Sequence, residues 1–343
     1  MAVVNAAVRE QLQKAGIEPL VINLAASTLD RSVVARLGRF PRVLWGLGRL
    51  VCKRGLRGQT LYMSVSDGLG QIYEILFALL ARLRGMRVFL HHHSFAYLDI
   101  PSWLMGWLVR VAGADAIHIA LSQKMADRLK AAYDVELVVP ISNAVFFVAQ
   151  NSTALTRRNL ETLGFLSNIT PEKGVFEFLD LCATVRDKGL SLRAQLAGPF
   201  QDDGTERVVR ERLAAQPTVV YVGPKYGAEK DVFYMGIDAL IFPTHNEAEP
   251  VVLHEAISRA IPVIAYGRGC IPEIIGPDCG LVIDIASSFV PAAVAQIETW
   301  LDDPEMLAAA SKAAAQRFAK TYAENAERWA MLLTEISGGV LGG

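Results

Sequence analysis

Four cysteines in 343 residues, Cys52, Cys182, Cys270 and Cys279, are scattered without a Cys-x-x-Cys pair. They supply no zinc framework and fit reduced thiols in a cytosolic protein. Long hydrophobic runs are missing too. The nearest, Trp103 to Ala114, contains Arg110 and falls short of the roughly 18 residues a membrane span needs. The opening MAVVNAAVREQLQKAG lacks the basic stub and apolar core of a secretory leader and reads as a helix. Nor is there an excess of one charge. With 34 Lys+Arg against 35 Asp+Glu the net charge is −1, which excludes nucleic-acid binding by bulk charge. Repeats and low-complexity tracts are absent.

What is present is apolar material for two cores: 52% of residues are hydrophobic and the length is that of two domains. Short β-branched or apolar runs alternate with helical patterns. Strands are expected at Leu20–Leu24, Leu61–Val65, Val88–His92, Ala116–Leu121 and Leu137–Ile141. A second set is expected at Thr162–Leu166, Arg193–Gly198, Thr218–Gly223, Ala239–Thr244, Pro262–Tyr266 and Gly280–Asp284. Helices are expected at Gln71–Arg84, Gly174–Lys188, Thr205–Ala215 and Pro250–Ala260, with two helical segments in Pro304–Ile336. The βαβα rhythm implies parallel sheets covered by helices on both faces. The polar stretch Ala149–Asn159 reads as a linker, so the domains are drawn as 1–149 and 150–319. In doubly wound sheets ligands sit beyond the carboxyl ends of the strands, so the residues just after strands are the first candidates for chemistry.

After the strand Ala239–Thr244 comes HNEAEPVVLHEAISRA. Glu247 precedes a helix that Pro250 opens, and Glu255 lies inside it. The helix start between them offers free N–H groups and a positive dipole end, a seat for a diphosphate. The carboxylates are suited to accept paired sugar or ribose hydroxyls. Alternatively, Glu247 and Glu249 merely favour the helix start and Glu255 is solvated. Upstream, the strand Thr162–Leu166 runs into SNITPEKG, which puts Lys173 at the mouth of the same crevice. A lysine there either neutralises phosphate as a point charge or is simply solvated.

Taken together, FLSNITPEKG, LAGPF and FPTHNEAEPVVLHEAISRAIPVIAYGRGCIPEII resemble the donor domain of the family-4 retaining glycosyltransferases, group 1, closely over Gly164–Asp284 and more loosely elsewhere. The resemblance implies a GT-B fold, two Rossmann-like domains facing a cleft, with the nucleotide-sugar donor bound by the C-terminal one. It implies that Glu247 contacts the donor sugar, Glu255 the ribose and Lys173 the diphosphate, while the backbone at Val251 approaches phosphates or sugar. It also implies that the final helix, 320–337, packs back on the N-terminal domain. One departure stands out. The family often has an arginine five residues before the lysine, and here that position is Asn168, which donates hydrogen bonds without charge. Lys225 and Lys230 are candidate replacements, and Tyr226 either faces the base or packs. No Asp-x-Asp occurs, so no metal is expected to help the leaving diphosphate.

In the N-terminal half the strand Val88–His92 runs into HHHSF. His91 and His93 point to one side, but no second cluster at ligand spacing supports a metal. By resemblance His93 sits near the reacting sugar, with His91 as the alternative; a locally hydrogen-bonded strand-end histidine is the other reading. Asp67, in SVSDGLGQ, either orients an acceptor or caps the next helix. Residues 31–57 carry Arg31, Arg36, Arg39, Arg42, Arg49, Lys53, Arg54 and Arg57 with interleaved apolar side chains and no acid between Asp30 and Asp67. This is either a helix that lies on an anionic membrane surface or a core-packing helix with a basic outer face. Family members usually open with a strand and a glycine-rich loop, whereas this sequence starts at the helix that follows. The N-terminal domain is therefore expected to lack its first strand: either the sequence starts late or part of the site is missing.

The expectation is glycosyl transfer with retention from a nucleotide diphosphate sugar to a carbohydrate or lipid-linked acceptor, in the cytoplasm or at the inner membrane face. A sugar-nucleotide epimerase on the same fold, a non-catalytic nucleotide-sugar-binding protein and a metal hydrolase built on the histidines are the rivals.

Overall fold

The computed structural model describes residues 2–24, 40–146 and 155–337. Part of the basic run, 31–39, and part of the expected linker, 149–154, lie outside the described residues. The chain divides into two compact units, Met1–Ser142 with Asn325–Gly343, and Asn143–Glu324.

The first unit contains α1 (Ala2–Lys14), α2 (Phe40–Cys52), β1 (Thr60–Val65), α3 (Gln71–Leu83), β2 (Arg87–His92), α4 (Ala96–Asp99), α5 (Trp103–Ala112), β3 (Ile117–Ala120), α6 (Gln123–Tyr133) and β4 (Val138–Pro140). Its sheet is parallel in the order β1-β2-β3-β4. Parallel neighbours in sequence order need right-handed crossovers, which put α3, α5 and α6 on one face. β1 is tied to α1 by Ser64 Oγ, which donates to Asn5 Oδ1 at 2.5 Å. Thr60 Oγ1 donates to the Ile336 carbonyl at 2.9 Å.

The strand expected at Leu20–Leu24 is not formed: residues 17–24 join no ladder and Val21 is half exposed. A strand exists only where a neighbour accepts its backbone groups, and among the described strands none pairs with this segment.

The second unit contains β5 (Thr162–Leu166), α7 (Val175–Asp187), β6 (Arg193–Ala197), α8 (Asp203–Ala214), β7 (Val219–Gly223), α9 (Ala228–Met235), β8 (Ala239–Phe242), α10 (Val251–Ser258), β9 (Val263–Tyr266), α11 (Ile271–Ile275), β10 (Gly280–Ile283) and α12 (Phe289–Asp302). Its six parallel strands run β10-β9-β8-β5-β6-β7. β5, β8 and β9 are buried along their whole length, as strands covered on both faces must be. The chain winds outward from β5 through β6 to β7, then returns to the other side of β5 at β8. That reversal opens a crevice at the carboxyl ends of β5 and β8.

α13 (Pro304–Ile336) is one continuous helix of 33 residues, not the two segments expected. No glycine or proline interrupts Glu305–Ile336, so nothing local breaks it. Its last part belongs to the first unit, where Trp329 is buried and donates through Nε1 to Gln11 Oε1.

Candidate functional site

Two loops meet at the crevice of the second unit, the one after β5 and the one after β8. Thr170 caps the short turn Pro171–Lys173 by accepting from the Lys173 amide at 3.2 Å. Gly174 then turns with φ +80°, and a Cβ there would lie 2.1 Å from the Pro243 carbonyl oxygen. Only glycine allows the loops to approach so closely in that conformation. The His245 amide donates to the Glu172 carbonyl at 2.9 Å. A third loop closes the other side: the Cys270 amide donates to Ala248 O at 2.8 Å, and a Cβ on Gly269 would come within 2.5 Å of the Glu247 carbonyl oxygen.

This clasp brings Lys173 and Glu247 together, 74 residues apart in sequence. Lys173 Nζ donates to Glu247 Oε2 at 2.6 Å and to the Asn246 carbonyl at 3.0 Å. Two of the three ammonium donors are thus used, and the third remains for an anion. Both side chains are 24% exposed. α10 follows at once, with Val251 as its first residue and Pro250 before it making no side-chain cap. The amides at such a start point out of the helix toward whatever anion approaches.

Glu255 lies one turn into α10. Lys230 of α9 reaches both of its oxygens, at 2.6 Å for Oε1, and Tyr234 donates to Oε2 at 2.8 Å. Burial pushes the Tyr234 phenol well above its ordinary range, with the Glu255 charge adding to the shift, so it stays a donor. Of the two lysines expected to replace an arginine, Lys230 joins the constellation through Glu255. Lys225 is half-buried and makes no ion pair among the described residues. Asn168 is exposed just past β5, and Tyr226 is 67% exposed, so it does not pack.

Glu249 does more than favour a helix start. Its side chain is buried, with Oε1 at 2.9 Å from His254 Nε2 and Oε2 accepting from the Asn143 amide at 2.8 Å. His245 Nε2 lies 2.5 Å from Glu177 Oε1. Neither pair was legible beforehand, because each joins residues whose spacing carries no pattern.

In the first unit the three histidines diverge. His91 is fully buried against the Tyr62 hydroxyl, so as the alternative to His93 it is out of solvent's reach. His92 lies 2.9 Å from both the Tyr97 hydroxyl and His118 Nδ1. His93 follows β2, its ring centroid 4.0 Å from that of His91, and its Nε2 is buried without a hydrogen-bond partner among the described residues. Burial lowers His93 to about 3 and His118 to about 4, and holds His91 and His92 well below the usual imidazole range. Among the described residues no three His, Cys, Asp or Glu side chains gather to hold a metal. Asp67 is exposed and makes no cap bond with its side chain. The loop is held instead by Glu74, whose Oε1 accepts from Ser66 N at 2.8 Å and Oγ at 2.5 Å.

Residues 151–317 match the family described as Glycosyl transferases group 1. The matching segment is just under half of the chain and lies within the second unit. Among curated relatives, sulfoquinovosyl transferase SQD2 of Arabidopsis thaliana is 25% identical over 220 residues, 58% of this chain and 41% of the relative. A GDP-mannose-dependent alpha-mannosyltransferase of Mycolicibacterium smegmatis is 30% identical over 138 residues, 39% of this chain and 34% of the relative. The chain thus spans less than two thirds of the length of these glycosyltransferases. Among solved structures, Anabaena Alr3699/HepE in complex with UDP has a TM-score of 0.68 at 17% identity, covering 96% of this chain and 89% of its own. Sucrose-phosphate synthase from Thermosynechococcus elongatus has a TM-score of 0.68 at 16% identity, covering 92% and 82%. The fold is GT-B, with two parallel α/β domains. Lys173, Glu247, Val251 and Glu255 all fall inside the segment that matches the family. Among the described residues no helix is long and apolar enough to cross a membrane.

Proposed function

We propose that the protein transfers a sugar from a nucleotide diphosphate donor to an acceptor hydroxyl, with retention of configuration and without a metal. The carrying observation is the clasp at the β5/β8 crevice, which brings the Lys173 ammonium from one loop onto Glu247 of the other, just before an open helix start that carries Glu255. In this reading Lys173 and the amides at Val251 take the diphosphate and stabilise the charge that develops as it leaves. Glu247 holds sugar hydroxyls and Glu255 the ribose diol, each carboxylate exchanging its lysine for ligand hydroxyls. Asn168 supplies an uncharged donor where the family often has arginine. His93, neutral through burial, serves the acceptor side as a hydrogen-bond partner.

The acceptor is a carbohydrate or a lipid-linked one, and the protein works in the cytoplasm against the inner membrane face through 31–57. Four cysteines scattered without a Cys-x-x-Cys pair support the compartment, and the basic α2 supports the contact.

A thermal-shift screen against UDP, GDP, ADP, CDP and their sugars tests the donor site. UDP comes first, because the HepE structure holds it. Ligand at about 100 times its dissociation constant adds about 2.7 kcal/mol, which is about 5–10 °C for a unit of this size. The shift is expected for one base and is lost in Glu255→Ala. No shift with any nucleotide overturns the reading. Binding followed by sugar isomerisation without an acceptor assigns the site to an epimerase instead.

A further inference from the structure

Exposed apolar side chains collect on one layer of the first unit. Three of the five tryptophans, Trp45, Trp103 and Trp107, are 58%, 71% and 50% exposed, while Trp300 and Trp329 are buried. All three exposed ones lie on α2 and α5. Between these helices, α3 is apolar on two opposite sides. It buries Phe77, Ala78 and Ala81 inward and exposes Ile72, Leu76, Leu79 and Leu83 at helical spacing, with Leu69 just before it. Exposed Phe40, Leu44 and Val51 on α2, and Ile100 just before α5, extend the patch.

The three helices are neighbours. α3 and α5 run side by side in one direction. At their starts Ser102 Oγ donates to Gln71 Oε1, and at their ends Arg82 pairs with Asp115. α2 flanks α3, with Gly46 set against the Phe77 ring and Arg84 donating to the carbonyls of Val51 and Lys53.

The chemistry of the layer is narrow. α2 and α5 contain no Ser, Thr, Asn, Gln, Asp or Glu, and the polar Gln71 and Glu74 of α3 are buried. Protein partners exchange about one hydrogen bond per 100–200 Å² of interface, and apart from its cations this face has almost nothing to exchange. What α2 and α5 have besides aliphatic and indole groups is cations, Arg42, Arg49 and Arg110, with exposed Lys53 directly after α2. Arg49 sits 4.7 Å over the Trp45 ring and Arg110 sits 5.4 Å over Trp107. A guanidinium beside an exposed indole suits the depth of lipid headgroups, where the ring enters the acyl boundary and the cation meets phosphate.

We infer that the α2/α3/α5 layer docks on an anionic bilayer surface, with Trp103, Trp107 and the Leu76–Leu79–Leu83 stripe entering the interface and the basic side chains of α2 and α5 meeting the headgroups. This deepens the membrane reading above by moving the apolar contact from one basic segment to a three-helix face, and it is independent of the donor site.

The test is sedimentation of the full chain with vesicles of phosphatidylcholine alone or with a third phosphatidylglycerol, together with quenching of tryptophan emission by brominated lipid. Two variants at exposed positions are compared, Leu79→Ser/Trp103→Ser/Trp107→Ser and Arg49→Glu/Lys53→Glu/Arg110→Glu. Binding to the anionic vesicles with quenching is expected, weakened at least about tenfold in either variant, and only the wild type's binding should combine salt sensitivity with deep quenching. The nucleotide thermal shift stays unchanged in both variants, which separates this outcome from failure of the donor reading. If only the charge variant loses binding, the contact is through basic side chains alone and the three-helix face is wrong. Absence of binding to either vesicle overturns the inference, as does a dimer in light scattering that the serine variant dissolves.

Discussion

Lys173 and Glu247 show how the residues proposed for donor binding are held in the protein alone. Each carboxylate expected to hold hydroxyls already holds a lysine, Glu247 with Lys173 and Glu255 with Lys230. Such pairs keep flexible side chains at the crevice, and because they are mostly buried, ligand groups must replace the lysine contacts for the exchange to be favourable. The histidines of the first unit behave oppositely, because burial makes them costly to charge. His93 is held at about 3 and His118 at about 4, against an ordinary 6.5. Below pH 6.5 the unfolded chain binds protons that the folded one refuses, so stability rises with pH across that window. The contribution is complete above pH 6.5 and is lost as pH falls toward 4 for His118 and toward 3 for His93. Each group contributes a slope of up to about 1.4 kcal/mol per pH unit. Melting followed from pH 7 to pH 5 should show the first unit weakening; a transition that does not move contradicts the burial.

At the scale of elements, the β5/β8 crevice depends on loops that touch backbone to backbone. Gly174 combines φ +80° with a Cβ position 2.1 Å from the Pro243 oxygen. Gly174→Ala therefore adds the left-handed penalty of about 1–2 kcal/mol and forces the two loops apart. The expected outcome is a lower melting temperature together with loss of the nucleotide shift, since Lys173 is the next residue. A variant that binds nucleotide as the wild type does would show that the close approach is not needed. The strands were legible as elements because each alternates with a helix and ends in turn residues. Leu20–Leu24 has the same composition yet forms no strand, because pairing is a property of neighbours.

The whole chain is organised by α13, whose C-terminal part is assigned to the first unit although the rest belongs to the second. Trp329, Leu332 and Ile336 are buried there, and Thr60 and Arg87 donate to the carbonyls of Ile336 and Glu335. Deleting 325–337 strips these contacts from the first unit and none of the clasp from the second. Limited proteolysis should then degrade the first unit while the nucleotide shift of the second survives. Intact digestion patterns in the truncated chain would show that the tail is dispensable.

The sequence by itself determined the βαβ rhythm, the parallel sheets and the residue types gathered at the β5/β8 crevice. These depend on local periodicity and on a motif, Glu247 to Glu255, carried within one loop and helix. It also indicated that Asn168 stands where a cation is common and that 31–57 is basic. Only the tertiary structure decided which lysine faces which carboxylate, that Glu249 is a buried brace for His254 and Asn143, and that His91 is sealed in the core. It alone gathered Trp45, Trp103 and Trp107 onto one layer. The physical reason is common to all of these. They are contacts between residues far apart in the chain, and their partners are chosen by how strands order and helices pack rather than by any spacing along it.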